Sequence, residues 1–199
     1  MKLEPTTQPS PLRSRWSLAT EQLAFLGHEL RLLTDGRTAR WLLIFFEPNA
    51  GVIISYRFDR CFYLLCGPIW TFLRVFAFPL FLMLRLLSCR HEICFQAQIG
   101  RGLRVFHATL GVVVHGDAIV GRNCIFYGGN SIGVRKFMRR GELALGDNVI
   151  LGINACVLGP VKVGHHVTIG AGAIVVEDLP DNTVAVGVPA RPRSSAGGG

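Results

Sequence analysis

The chain reads as a mainly β protein, a parallel β-helix of hexapeptide repeats preceded by an apolar α-helical N-terminal region. Two observations carry that class. The second half keeps a six-residue beat of large apolar side chains, and residues 61–89 are a 29-residue stretch with only two charges, Arg74 and Arg85.

The beat falls on Ile93, Ile99 and Val105, then on Val114, Val120, Phe126 and Ile132, then on Leu145, Leu151, Val157, Val163, Ile169 and Val175. Four residues after most of these comes a smaller apolar residue: Ala97, Ala118, Cys124, Val149, Ala155, Val161, Val167 or Ala173. A helix repeats every ~3.6 residues and a strand every two, so neither produces a period of six. A short strand followed by a tight turn, repeated, does, and such repeats mark a parallel β-helix. Two interruptions stand out, about three extra residues between Val105 and Val114 and seven between Ile132 and Leu145. Insertions in a repeat array map to loops, often on the binding face.

Ahead of the repeats, residues 1–15 are rich in Pro, Thr and Ser and read as disordered. Residues 16–46 read as helical and end in WLLIFF, EPNAG at 47–51 as a turn, and a second helical stretch as ending at Gly67-Pro68. In residues 61–89 a bilayer span is interrupted by Pro68, Arg74 and Pro79. Helices lying in a membrane interface, or buried in an oligomer, fit better than a span; at an interface Arg57, Arg60, Arg74, Arg85 and Arg90 would meet lipid headgroups. Residues 16–91 are thus one helical, membrane-associated region, 92–190 the β-helix and 191–199 a flexible tail.

The formal charge of +8 is spread along the chain, with 11 basic and 6 acidic residues in 1–91 and 10 and 7 in 92–199. No nucleic-acid motif accompanies it, so nucleic acid is not an expected partner. None of the six cysteines forms a CxxC pair, which excludes zinc ribbons and redox motifs and fits a reduced cytoplasmic chain. The N-terminal sixteen residues lack the apolar core of a signal peptide. A three-histidine zinc site on this fold needs histidines five apart, a spacing not found here, and no metal is expected.

The stretch EICFQAQIGRGLRVFHATLGVVVHGDAIVGRN, together with IGAGAIVVEDLPDNTVAVGVPAR and EPNAGVIISYRFDR, resembles the serine acetyltransferase branch of the hexapeptide acyltransferases. The last segment looks like the helical lead-in of relatives encoded with surface-polysaccharide genes. The resemblance covers about residues 45–193. It implies a left-handed β-helix, a homotrimer or dimer of trimers, and acetyl-CoA bound in a groove between neighbouring prisms.

A hydroxyl is a poor nucleophile at neutral pH, and a positioned base typically adds about 10²–10⁴-fold. Histidine suits that role, and a carboxylate on its far nitrogen fixes the tautomer. On the resemblance, His107 of the His-Ala-Thr segment is the base and Glu92, fifteen residues upstream, the orienting carboxylate. Phe106 stands where serine-specific relatives carry an aspartate, and suits a sugar face or a lipid-linked acceptor. Arg140 and Glu142 stand near the place of the family's Arg-His pair, and His115 lies beside the insertion. These four make up the expected acceptor pocket. Ile153 and Ala171, eighteen residues apart, stack on one edge as the expected CoA groove, with Gly133, Gly152, Gly172 and Arg191.

The expected activity is acetyl-CoA-dependent O-acetylation of a sugar hydroxyl in surface-polysaccharide assembly, at the inner face of the cell membrane. The alternatives are serine O-acetylation for cysteine biosynthesis and a non-catalytic hexapeptide scaffold.

Overall fold

The computed structural model describes residues 14–34, 47–76 and 91–193. Among the described residues, three helices come first: α1 (Arg15–Thr34), α2 (Pro48–Cys66) and α3 (Ile69–Phe76). The rest winds through fifteen short strands: β1 (His91–Ile93), β2 (Gln98–Ile99), β3 (Arg104–Val105), β4 (Val112–Val114), β5 (Ile119–Val120), β6 (Ile125–Phe126), β7 (Asn130–Val134), β8 (Leu143–Leu145), β9 (Ile150–Leu151), β10 (Cys156–Gly159), β11 (Val161–Val163), β12 (Thr168–Ile169), β13 (Ile174–Val175), β14 (Val184–Val186) and β15 (Arg191–Arg193).

Every third strand pairs in parallel with the next above it. The first sheet is β1-β4-β7-β10-β13, the second β2-β5-β8-β11, and the third β3-β6-β9-β12-β14-β15. Three faces wound this way make a prism. The hexapeptide beat is the cause. The large apolar side chain at each strand points inward, and the small one four residues on turns inward at the following corner. All the beat and small-slot positions are buried. Cys124 fills one such slot, and burial pushes its thiol up to about 12.

Corners must be small. At Gly121 an added Cβ would lie 2.5 Å from the carbonyl of Gly146 on the next coil. Where the backbone turns left-handed, side chains that tolerate that conformation stand at Asn123, Asn148, Asn154, His166 and Asn182. Between coils, polar side chains meet exposed backbone N–H groups. Asp147 accepts from Arg122 N at 2.7 Å and from its guanidinium at 2.7 and 3.1 Å. Burial works to raise the Asp147 carboxyl, but the Arg122 hydrogen bonds outweigh it and hold the pKa below its ordinary value.

Strands β1, β2 and β3 end their sheets, so their free edges need covering. The helices do this. The Arg57 guanidinium, with no exposure, donates to Glu29 Oε2 (3.0 Å) and Oε1 (2.5 Å), Gln22 Oε1 (2.8 Å), Ile99 O (2.9 Å) and Gly100 O (2.7 Å). Glu29 Oε1 also accepts from Gly102 N and Leu103 N. Tyr56 Oη donates to Ala97 O and accepts from Ile99 N. Arg60 donates to the carbonyls of Phe95 and Gln96.

Several expectations are corrected here. EPNAG is not a turn: Pro48 opens α2, because a proline at the first helical position loses no hydrogen bond and its fixed φ suits the helix. Arg57 and Arg60 are buried against the first coil and cannot meet headgroups. Arg74 is paired with Asp59 at 3.2 Å. Arg191–Arg193, read as flexible tail, form β15, antiparallel to β14. The helical reading of WLLIFF and the headgroup roles of Arg85 and Arg90 lie outside the described residues.

Two outcomes follow. Glu29→Ala strands the Arg57 charge, so unfolding in urea should lose about 3–5 kcal/mol, and a loss under about 1 kcal/mol contradicts the clamp. Asp147, depressed in the fold, contributes stability that is present above its ordinary pKa of about 3.9 and lost as pH falls through its folded value. Asp147→Asn should therefore flatten the fall of melting temperature on acidification.

Candidate active site

The corner between the third and first sheets is where the coil loosens. Phe106 N donates to Phe126 O, Tyr127 N to Leu151 O, Gly152 N to Ile169 O and Gly170 N to Ala185 O. These bonds stack residues 106, 127, 152 and 170 along one edge. On the lowest of these corners the chain departs from the standard turn. The three-residue surplus becomes a 3₁₀ turn, Ala108–Leu110, closed by Gly111.

His107 enters that turn in the left-handed region, at φ 48° and ψ 45°. Such a conformation in a non-glycine residue costs about 1–3 kcal/mol and persists only where the surroundings impose it. Two neighbours do so. The His107 carbonyl accepts from Leu110 N at 2.9 Å. Gly128, at φ +92°, passes so close that a Cβ there would lie 2.6 Å from that carbonyl. Ala108 N, next along the chain, donates to Asn49 Oδ1 of α2 at 3.0 Å. The helical layer thus holds the turn, and the imidazole stands exposed on its outer side.

Glu92 lies on β1, paired with Val113 of β4, and is exposed on the outer face of the first sheet. No hydrogen bond or ion pair joins Glu92 to His107 among the described residues. The structure sets the two at the start and the end of the first coil without closing the dyad.

Phe106 stacks on Tyr127, with ring centroids 5.3 Å apart and planes at 22°. The other expected acceptor residues sit elsewhere. His115 follows β4 at the opposite edge of the first sheet, with its N donating to Ile132 O beside Gly133. The seven-residue surplus forms a loop on that same edge. Its Met138 is buried and its Phe137 is 96 % exposed. Arg140 donates to Gln96 O at 3.0 Å, and Glu142 accepts from Arg139 N at 2.7 Å. A single pocket of Phe106, His115, Arg140 and Glu142 is therefore not formed within one chain. Sequence nearness to an insertion does not say on which edge of a prism the insertion falls.

The expected groove is contiguous with His107. Gly172 N donates to Ile153 O at 2.8 Å, so residues 153 and 171 share the His107 edge, and both are exposed. At Gly152 a Cβ would lie 2.6 Å from Ala171 N, so packing of the coils already demands glycine there. Gly172 faces open space. Gly133 belongs to the opposite edge, and Arg191 is engaged by the Glu177 carboxylate. Asn49, Tyr127 and Gly128 were missed. Asn49 had a usable signal, because Pro48 marks a helix start that aims the next side chain at the coil.

A hexapeptide β-helix with an exposed histidine on a loosened corner beside a small-residue edge defines the class of hexapeptide acyltransferases. No family model matches the chain. Among curated proteins, serine acetyltransferase of Helicobacter pylori strain J99 is 32% identical over 169 residues, 81% of this chain and 91% of that protein. Serine acetyltransferase of Synechococcus elongatus is 38% identical over 96 residues, 48% of this chain but only 39% of that protein's length. Among solved structures, Neisseria gonorrhoeae serine acetyltransferase in complex with serine superposes with a TM-score of 0.71 at 26% identity, over 89% of this chain and 71% of that one. Soybean serine acetyltransferase complexed with serine gives 0.70 at 28% identity, over 89% and 72%.

The chain belongs to the serine acetyltransferase family and is an acyltransferase. The comparisons point away from the sugar acceptor and toward the serine alternative.

If Asn49 positions His107, Asn49→Ala should lower kcat by about 10–100-fold with little change in KM for the acetyl donor. Equal kcat in the two proteins would leave Asn49 a purely structural bond.

Proposed function

We propose that the protein is a serine O-acetyltransferase that uses acetyl-CoA. The observation that carries this reading is His107, held in a strained turn and exposed at the end of the edge formed by Ile153 and Ala171. An imidazole nitrogen of His107 takes the proton from the serine Oγ as it attacks the thioester carbonyl. The new C–O bond forms, the tetrahedral intermediate collapses, the C–S bond breaks, and the proton passes to the departing CoA thiolate. Glu92 serves as the orienting carboxylate once acceptor and donor close the site.

The two expected halves of the site lie on opposite edges of one prism, and a homotrimer resolves this. In it the edge of His115, Arg140 and Glu142 on one copy faces the His107 edge of the next. That loop brings Lys136, Arg139 and Arg140 as cations for the serine carboxylate.

One observation favours a second reading. The Phe106–Tyr127 stack beside His107 presents aromatic surface rather than an anion for an ammonium group. A sugar hydroxyl is the acceptor that such a surface would suit.

One assay decides. CoA release from acetyl-CoA is followed with L-serine and with a panel of nucleotide sugars. Turnover is expected with L-serine, falling by about 10²–10⁴-fold in His107→Ala. Turnover with sugars alone would establish the second reading, and His107-independent release would overturn both. Phe106→Asp supplies a partner for the serine ammonium, so kcat/KM for L-serine should rise by about tenfold, consistent with one charge-assisted hydrogen bond.

A further inference from the structure

We propose that α3 docks the protein on an anionic lipid bilayer, lying in the headgroup region without crossing it. This goes beyond the acetyl-transfer reading and does not depend on it.

Helix α3 is built to be wet on one side and is apolar there. Its only buried residue is Trp70, which stacks on Phe62 at 4.7 Å and donates from Nε1 to Asp59 Oδ1 at 3.3 Å. That anchor turns the rest outward. Ile69, Phe72, Val75 and Phe76 are 62, 74, 69 and 85 % exposed. With Leu73, also exposed, five large apolar side chains of an eight-residue helix form a patch that calls for a partner.

The charges around the patch select that partner. Among the described residues, the stretch 61–76 carries Arg74 and not one Asp or Glu. Arg74 lies 3.2 Å from the Asp59 carboxylate and 4.9 Å from the centre of the Phe95 ring. Its charge is therefore compensated within the protein rather than placed on the apolar face. At the start of α3, the Arg15 guanidinium comes within 3.5 Å of the Cβ position of Gly67. The next residue, Trp16, is exposed. Exposed tryptophan and arginine flanking an apolar helix are the anchors of a membrane interface.

Two other occupants fit less well. A second copy seated on the same face would set apolar face against apolar face and offer Arg15 no acidic side chain from α3. Residues 77–90, AFPLFLMLRLLSCR, are as apolar as the face itself, so covering α3 with them would only move the apolar surface outward. No helix among the described residues is long and apolar enough to cross a membrane, so the contact is interfacial.

The test is flotation of the full-length protein with phosphatidylcholine vesicles, with and without about 30 % phosphatidylglycerol. The protein should float with the anionic vesicles and far less with neutral ones. The double variant Phe72→Glu, Phe76→Glu should lose vesicle binding by about tenfold or more, with native mass and melting temperature. Phe76→Ser, a milder change, should lose part of it and serves if the double variant misfolds. A wild type that never floats, or variants that float like wild type, overturns the proposal. So does a change of oligomeric mass in the variants, which would assign the face to contact between copies.

Discussion

The structure depends on one buried contact, the Glu29–Arg57 pair between the helices and the first coil. A parallel β-helix stacks indefinitely unless its ends are closed, and each end leaves a ring of unpaired backbone groups. Here the five guanidinium donors of Arg57 are all used, two on Glu29, one on Gln22 and two on first-coil carbonyls. Glu29 in turn takes two first-coil N–H groups. Neither charge is left without hydrogen bonds, which is the condition under which a buried pair is tolerable. The pair closes the sheet edges and also sets the position of α2 against the coil.

That position has a consequence at the corner that carries His107. Asn49, in the first turn of α2, reaches the N–H of Ala108, beside His107. The clamp that ends the β-helix thereby helps shape the His107 corner, one of the two places where the coil departs from the repeat. The left-handed turn of His107 is held by these surrounding bonds, while the ordinary corners place asparagine, glycine or, at His166, a second histidine in the same conformation. Strain concentrated at a histidine, on the edge where a thioester would lie, is consistent with a role for that histidine in the reaction.

What was legible in the sequence follows from this. Every beat position from Ile93 to Val175 is buried as its period requires, because stacking coils gives each place in the hexapeptide one fixed direction. The helix end at Gly67 was legible from glycine and proline chemistry. The start at Pro48 was not, because PNAG also reads as a turn until the proline is taken as a first helical residue. Arg57 and Arg60 looked like surface cations, since a buried charge is recognisable only with its partners in view, and Glu29 lies on another helix. The candidate site was half legible. His107 and the Ile153–Ala171 edge fall together. His115, Arg140 and Glu142 fall on the far edge, because an insertion announces a loop but not its corner.

The central claim is that acetyl transfer takes place on the edge that carries His107, Ile153 and Ala171. A crystal structure of the protein with CoA and L-serine tests it most directly. The account requires the CoA sulfur beside the His107 imidazole, with the pantetheine arm along Ile153 and Ala171 and the serine hydroxyl within hydrogen-bonding distance of the ring. CoA bound along the His115 edge of a chain, with that same chain's His107 and its neighbours' His107 both left facing solvent, would contradict it.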